Sequence, residues 1–262
     1  MQGVLHGGFS SAHNHMQLAE ALVDTFTVYV PDRRGRGLSI HPYDKDDGVQ
    51  KDVEDMDALL AKTGAHNVFG VSAGAIIWLQ AALTLPAIHK AAIFEPPLFR
   101  DDSIPTAVLA RFDKEMAQGR VAAALITAMK GAEMGPPIFN IMPRWLLELL
   151  TSMAIKSEDK KAQSDYVPIR TLASLQQHDF QLVVEMSGKL ESLRTIRAEI
   201  LLLGGSKSPA FLKAALDDLE KVLPRSKRIE FPGLGHAASW NTDRGGKPEP
   251  VAQELRRFFA EH

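Results

Sequence analysis

Along the chain, short apolar runs alternate with longer stretches in which apolar residues recur every three or four positions. Six runs read as strands: Gln2 to Leu5, Thr27 to Pro31, Asn67 to Val71, Ala91 to Phe94, Glu199 to Leu203 and Lys227 to Phe231. Each stops where a turn former or polar residue begins. Between the second and third, Val49, Val53, Met56 and Leu60 keep helical spacing, and Asp52, Glu54 and Asp55 are expected to turn outward. The stretch from Pro250 to Ala260 repeats this, with Val251, Leu255 and Phe258/Phe259 on its apolar side. Strand–helix alternation of this kind predicts an α/β protein, a mostly parallel sheet covered on both faces.

From about Pro97 to Arg197 no run reads as a strand, and helical periods are interrupted at Gly119, Gly131, Pro136/Pro137, Pro143 and Pro168. The chain is therefore expected to divide into a core of residues 1–97 and 198–262 and a helical insertion over 98–197. Six of the nine methionines, at 116, 129, 134, 142, 153 and 186, fall in that insertion with Phe112, Phe139, Trp145 and Phe180. Such side chains on helices serve as ordinary core or as adaptable walls for an apolar ligand, and different faces can do each.

Composition narrows the possible chemistry. The 262 residues, 45% hydrophobic and 24% charged, indicate a soluble globular protein large enough for one core with an insertion. A net charge of −2 and the lack of a basic run argue against nucleic acid and anionic membrane as partners, leaving a small molecule. With no cysteine, disulfides, thiolate metal sites and a cysteine nucleophile are excluded. The nine histidines are scattered, without the spacing of a metal site, so neither metal nor other cofactor is expected. MQGVLHGGFSS lacks a signal-peptide pattern, and the longest apolar stretch, Val68 to Leu79, is too short to span a bilayer. A cytoplasmic location is expected.

The segment Gly70-Val71-Ser72-Ala73-Gly74 is G-x-S-x-G, set between a strand-like and a helix-like run. Glycines on both sides suit a nucleophile on a sharp strand-to-helix turn, where the backbone is strained and closely packed. The following helix would aim its N-terminal N–H groups at the oxyanion formed when Ser72 attacks a carbonyl. The plainer alternative is a small-residue turn that packs a helix on a sheet. His6-Gly7-Gly8-Phe9 follows the first strand, and its position upstream of this turn suggests a second oxyanion donor, the N–H of Gly8, beside that of Ala73. Pro232-Gly233-Leu234-Gly235-His236 puts a histidine in a glycine-flanked loop after the last strand, where it can swing over the serine as general base.

A third, acidic partner is less obvious. After Glu199 to Leu203 the chain reads Gly204-Gly205-Ser206-Lys207-Ser208-Pro209, with no carboxylate, and Asp217 and Asp218 lie well inside a helix-like run, expected to be solvated. Glu95 ends the strand Ala91 to Phe94 before Pro96-Pro97, one strand from the serine, within reach of a flexible histidine loop. Glu95 is the candidate to orient the His236 ring. The other reading is a carboxylate that caps a helix or anchors the insertion.

Together the HGGF run, Pro31-Asp32-Arg33-Arg34-Gly35-Arg36-Gly37-Leu38-Ser39, the GVSAG turn, Glu95-Pro96-Pro97 and the GLGH loop resemble the α/β-hydrolase superfamily, in its order and across nearly the whole chain. The resemblance implies an α/β-hydrolase fold with a helical cap over the substrate pocket and cofactor-free acyl transfer to water. Serine rather than aspartate at position 72 argues against the dehalogenase and epoxide-hydrolase branches. Lactonases of the zearalenone-hydrolase type are similar in keeping their acid as a glutamate after the same strand, which supports Glu95. Family members usually carry two further strands ahead of the HG segment. About six strands are therefore expected here, with Thr27 to Pro31 as an exposed edge, in a chain whose natural start lies upstream or that is a truncated form. The expected substrates are esters or lactones of moderately apolar small molecules. Carbon–carbon hydrolysis, perhydrolysis, cofactor-free oxygenation, a slow-turnover ligand receptor and an inactive truncated homologue stay open as alternatives.

Overall fold

Strands that are apolar on both faces need helices on both sides, and a computed structural model of the chain has that layering. The structure describes residues 2–5, 7–8, 10–44, 46–133, 138–160 and 166–261. Its strands are β1 (Gln2–Leu5), β2 (Val28–Tyr29), β3 (Asn67–Val71), β4 (Lys90–Phe94), β5 (Glu199–Gly205) and β6 (Ser226–Phe231). They form one six-stranded sheet in the order β2-β1-β3-β4-β5-β6, with every pair parallel. The helices are α1 (Met16–Glu20), α2 (Val49–Thr63), α3 (Ala73–Thr84), α4 (Ser103–Ala117), α5 (Val121–Gly131), α6 (Ile138–Ile141), α7 (Arg144–Lys160), α8 (Ile169–Met186), α9 (Ala210–Val222) and α10 (Pro248–Ala260).

Side chains alternate across the sheet with the strand period of two. Val68, Ile200 and Leu202 join the cluster beneath α2, α3 and α9, while Phe69, Val71, Phe94, Leu201 and Leu203 join the one beneath α1 and α10. Helix α3 is apolar all round because it is enclosed all round: Ile76, Ile77, Trp78 and Leu79 have no exposed surface. The Trp78 indole N–H donates to the carbonyl of Phe69 at 3.1 Å, satisfying the ring's polar atom inside the core. Helix α2 stops where Gly64 turns left-handed at φ 65° and donates its N–H to the Leu60 carbonyl at 2.8 Å.

The register positions the site. Val71 lies opposite Phe94, and Phe94 opposite Leu203, so β3 and β4 end level with one another while β5 runs two residues further beside β6. Residues 72 and 95 therefore emerge side by side, next to Gly204 of β5, at the edge where open α/β sheets bind ligands.

Two expectations are corrected. The run Thr27 to Pro31 contributes only Val28–Tyr29, because it pairs with β1 alone, at two register positions on the sheet edge. Asp52 does not face solvent: it is buried, receiving Arg33 Nε at 3.3 Å and the Tyr43 hydroxyl at 2.5 Å. Glu54 is exposed as expected, and Asp55 is half-buried against Arg34.

Between β4 and β5 the described chain is helical, from α4 to α8 followed by a 3-10 turn at Leu190–Thr195. Pro143 directly precedes α7, and Pro168 caps α8 with φ −56°. Pro136, Pro137 and Met134 lie outside the described residues. The insertion's large side chains divide in use: Phe112, Met116 and Phe180 pack together, whereas Trp145 and Met153 are exposed on α7.

Candidate active site

Ser72 sits where β3 becomes α3, with φ 54° and ψ −123°, a conformation L-residues avoid unless neighbours enforce it. Here three contacts enforce it. The Ser72 N–H donates to the Phe94 carbonyl of the next strand at 2.9 Å, and its own carbonyl accepts from Ala75 and Ile76 at 3.0 and 3.2 Å. Tight packing does the rest, because a Cβ on Gly70 would lie 2.6 Å from both the Gly74 carbonyl oxygen and Trp78 Cδ1. A Cβ on Gly7 would come within 2.8 Å of Ser72 Cβ. Both glycines are therefore dictated by close approach around the serine. The Ala73 N–H is the first amide of α3, at the positive end of the helix dipole, where the helix itself offers it no acceptor.

Glu95 follows β4, fully buried, with a left-handed φ of 46°. Its Oε1 accepts the Gly205 N–H at 2.6 Å and its Oε2 meets His236 Nδ1 at 2.7 Å. A carboxylate can only accept in this contact, so Nδ1 carries the ring proton and Nε2 is left as the basic nitrogen. Gly204 makes room for Glu95, since a Cβ there would lie 3.1 Å from Glu95 Oε1 and 2.6 Å from Leu216 Cδ1, and Gly205 makes room for the loop that carries His236, since a Cβ there would run into the Leu234 carbonyl. Asp217 and Asp218 are engaged elsewhere, with Arg228 and Arg100 respectively, and Asp218 is half-buried rather than solvated. The Asp218 carboxyl is held down to about 2, chiefly by its hydrogen bond from Arg100.

The loop carrying His236 is fastened at both ends. Lys207 N–H donates to the Leu234 carbonyl at 2.8 Å and Gly233 N–H to Ser206 Oγ at 2.8 Å. Further on, Asn241 accepts the Gln17 N–H at 3.0 Å and donates to the His13 carbonyl at 2.7 Å, tying this loop to α1 and to the 3-10 turn ahead of it.

Gly8, Ser72, Ala73 and His236 line one cavity of about 450 Å³, and Glu95 lies behind the imidazole. Among the described hydrogen bonds none joins Ser72 to His236; this contact is often long in substrate-free sites and tightens when substrate binds. His6 and Phe9 lie outside the described residues. The cavity's walls come largely from the inserted helices, with Val108, Met129, Leu172 and Phe180, and from Phe211 of α9. No group of three described His, Asp or Glu residues is arranged to hold a metal ion, and no helix among the described residues is long and apolar enough to cross a membrane.

Beside the cavity lies an ionic cluster that the sequence did not disclose. Asp179 of α8 receives Arg33 Nη1 at 2.6 Å and Arg36 Nη2 at 2.7 Å, with all three side chains buried. Asp52 binds Arg33 from the other side, together with Tyr43 and with His178 Nε2 at 2.8 Å. Burial by itself would raise both carboxyls, but the neighbouring guanidiniums hold Asp179 and Asp52 below the usual carboxylate range. Burial pushes the Tyr43 phenol up, so it stays a neutral donor to Asp52.

Comparison with known proteins agrees with this fold. The family model for the alpha/beta hydrolase fold matches residues 4–243, and the chain belongs to that family, which supports a hydrolase. It is similar to an alpha/beta hydrolase from Sphaerobacter thermophilus, with 26% identity, a TM-score of 0.77, and 99% of this chain and 92% of that one covered. A thermophilic esterase from Thermogutta terrifontis shares the fold at 16% identity and TM-score 0.71, covering 98% and 88%. So does an alpha/beta hydrolase, MGS-M2, from a Medee basin deep-sea metagenome, at 17% identity and TM-score 0.73, covering 100% and 90%. No curated protein matches the chain.

Proposed function

We propose that the chain is a cofactor-independent serine hydrolase acting on esters or lactones of moderately apolar small molecules, with Ser72 as nucleophile, His236 as base and Glu95 as the acid. The observation that carries this reading is the 2.7 Å contact of buried Glu95 with His236 Nδ1, on a ring that shares its cavity with the strained Ser72. His236 Nε2 takes the Ser72 proton as the hydroxyl attacks the acyl carbon. The N–H groups of Gly8 and Ala73 receive the oxyanion, and His236 returns the proton to the departing alcohol. Water then enters, gives a proton to the same nitrogen and attacks the acyl group on Ser72; the bond to Ser72 Oγ breaks, His236 returns the proton to that oxygen, and the acid is released. Glu95 keeps the ring in the productive tautomer and stabilises its protonated form.

The helices between β4 and β5 act in this reading as the cap. Their contribution to the cavity, with Val108, Met129, Leu172 and Phe180, favours an acyl or alcohol group that is apolar and of moderate size. Arg244 and Tyr166 also line the cavity, with the guanidinium 3.7 Å above the ring. The test is covalent labelling of Ser72 by a fluorophosphonate, with the label lost in Ser72→Ala.

A further inference from the structure

The Gly7–Gly8 peptide is the least constrained piece of backbone one could choose for an oxyanion donor, because glycines on both sides leave its plane free to rotate. Its carbonyl, however, is held. Arg36 Nη1 donates to the Gly7 oxygen at 3.0 Å, and Ser10 Oγ donates to the same oxygen at 3.0 Å. Arg36 is itself fixed through its other terminal nitrogen by Asp179 of α8 at 2.7 Å, and Asp179 is steadied by Arg33 at 2.6 Å. Arg36 and Asp179 are almost wholly buried, which restricts the guanidinium to this geometry. The same helix closes over the turn from above, for a Cβ on Gly8 would lie 3.1 Å from Asp179 Oδ2 and from the Gln176 amide.

A peptide unit is planar, with its carbonyl and N–H pointing in opposite directions. Two donors on the Gly7 oxygen therefore set the direction of the Gly8 N–H as well, and by polarising the amide they strengthen it as a donor. We infer that Arg36 is a positioning residue for the oxyanion donor Gly8, acting through the Gly7 carbonyl, and that its pairing with Asp179 makes this donor depend on α8 being docked. The inference rests on the hydrolase reading above and adds to it a residue that touches neither substrate nor nucleophile. Asp179 thus links the inserted helices to the chemistry: if α8 lifts, Arg36 loses the carboxylate that fixes its other terminal nitrogen, and its hold on the Gly7 carbonyl weakens while that of Ser10 stays.

The experiment compares wild type with Arg36→Lys, which keeps the charge but loses the planar fork, and with Ser10→Ala, which removes the other donor at little risk to folding. Hydrolysis of a p-nitrophenyl ester gives kcat and KM, an aryl boronic acid serves as a tetrahedral analogue, and thermal unfolding checks the fold. Losing a whole oxyanion donor costs about 100-fold to 1000-fold in kcat, so misalignment should cost roughly 10-fold to 100-fold in Arg36→Lys and less in Ser10→Ala. KM should stay within about threefold, and boronate affinity should fall in step with kcat/KM. A role in stability alone would instead lower the melting temperature while folded variants kept their kcat and boronate affinity. That result, or a loss confined to KM, overturns the positioning role and leaves the hydrolase standing. A wild type that neither turns over esters nor binds boronate overturns the hydrolase reading and this inference with it.

Discussion

Replacing Glu95 with glutamine is close to isosteric, yet the amide cannot serve both partners of the carboxylate. With its oxygen toward His236, the amide would turn an NH2 toward the buried Gly205 N–H, donor against donor, in place of the 2.6 Å contact seen for the acid. An unsatisfied buried amide costs about 1–3 kcal/mol, so the side chain should turn the other way and keep its oxygen on Gly205. The NH2 then faces His236 Nδ1, 2.7 Å from Oε2 in the wild type, and Nδ1 must become the acceptor. The ring proton moves to Nε2, the nitrogen that has to take the proton of Ser72. This wrong tautomer lowers kcat by about 10⁴ where an aspartate orients the histidine of a serine protease, equivalent to roughly 5 kcal/mol of barrier. For Glu95→Gln we expect a loss of that order in p-nitrophenyl ester turnover, with KM little changed and the melting temperature lowered by only about 2–6 °C. Glu95→Gln retaining more than about a tenth of wild-type kcat would remove Glu95 from this role, as would an equal loss in Asp218→Asn.

His15 offers a pH test of the core. It is fully buried, and its pKa is lowered to about 4, mainly by burial, against a partial offset from the Ser239 carbonyl. The unfolded chain therefore takes up a proton near pH 6.5 that the folded chain refuses, so this contribution to stability is intact above pH 6.5 and declines as pH falls towards 4. Going from pH 7 to pH 5 should cost about 2 kcal/mol through this group. Urea unfolding of wild type and His15→Gln at both pH values measures it, and identical pH dependence in the two would contradict it. Gly70→Ala places a methyl 2.6 Å from the Gly74 carbonyl oxygen, which cannot move without opening the turn. It should lose about 1–3 kcal/mol in urea unfolding and most of its turnover, and wild-type behaviour would show that the turn is not closely packed.

Strand positions were legible because a parallel sheet leaves its strands apolar on both faces, and Asn67–Val71 and Gln2–Leu5 stand as read. Edge pairing was harder to see, since the length of β2 depends on how far β1 runs beside it. Asp52 was misplaced because its charge was weighed above its position. With Val49, Val53, Met56 and Leu60 it occupies the buried face of α2, and the partner that allows this, Arg33, lies 19 residues earlier. Glu95 could be singled out because an apolar strand ending in an acid needs a reason. What the sequence could not show is the Arg36–Asp179 pair, which brings together residues 143 positions apart. Only the docking of α8 creates it.

A serine hydrolase of this kind requires an activated Ser72. Folded wild type and Ser72→Ala, each with a heat-denatured control, should be treated with a fluorophosphonate and read by intact mass and peptide mapping. We expect a single adduct on Ser72 in native wild type, absent from the variant and from denatured protein. A folded wild type that takes no label, or takes it at a residue other than Ser72, would contradict it.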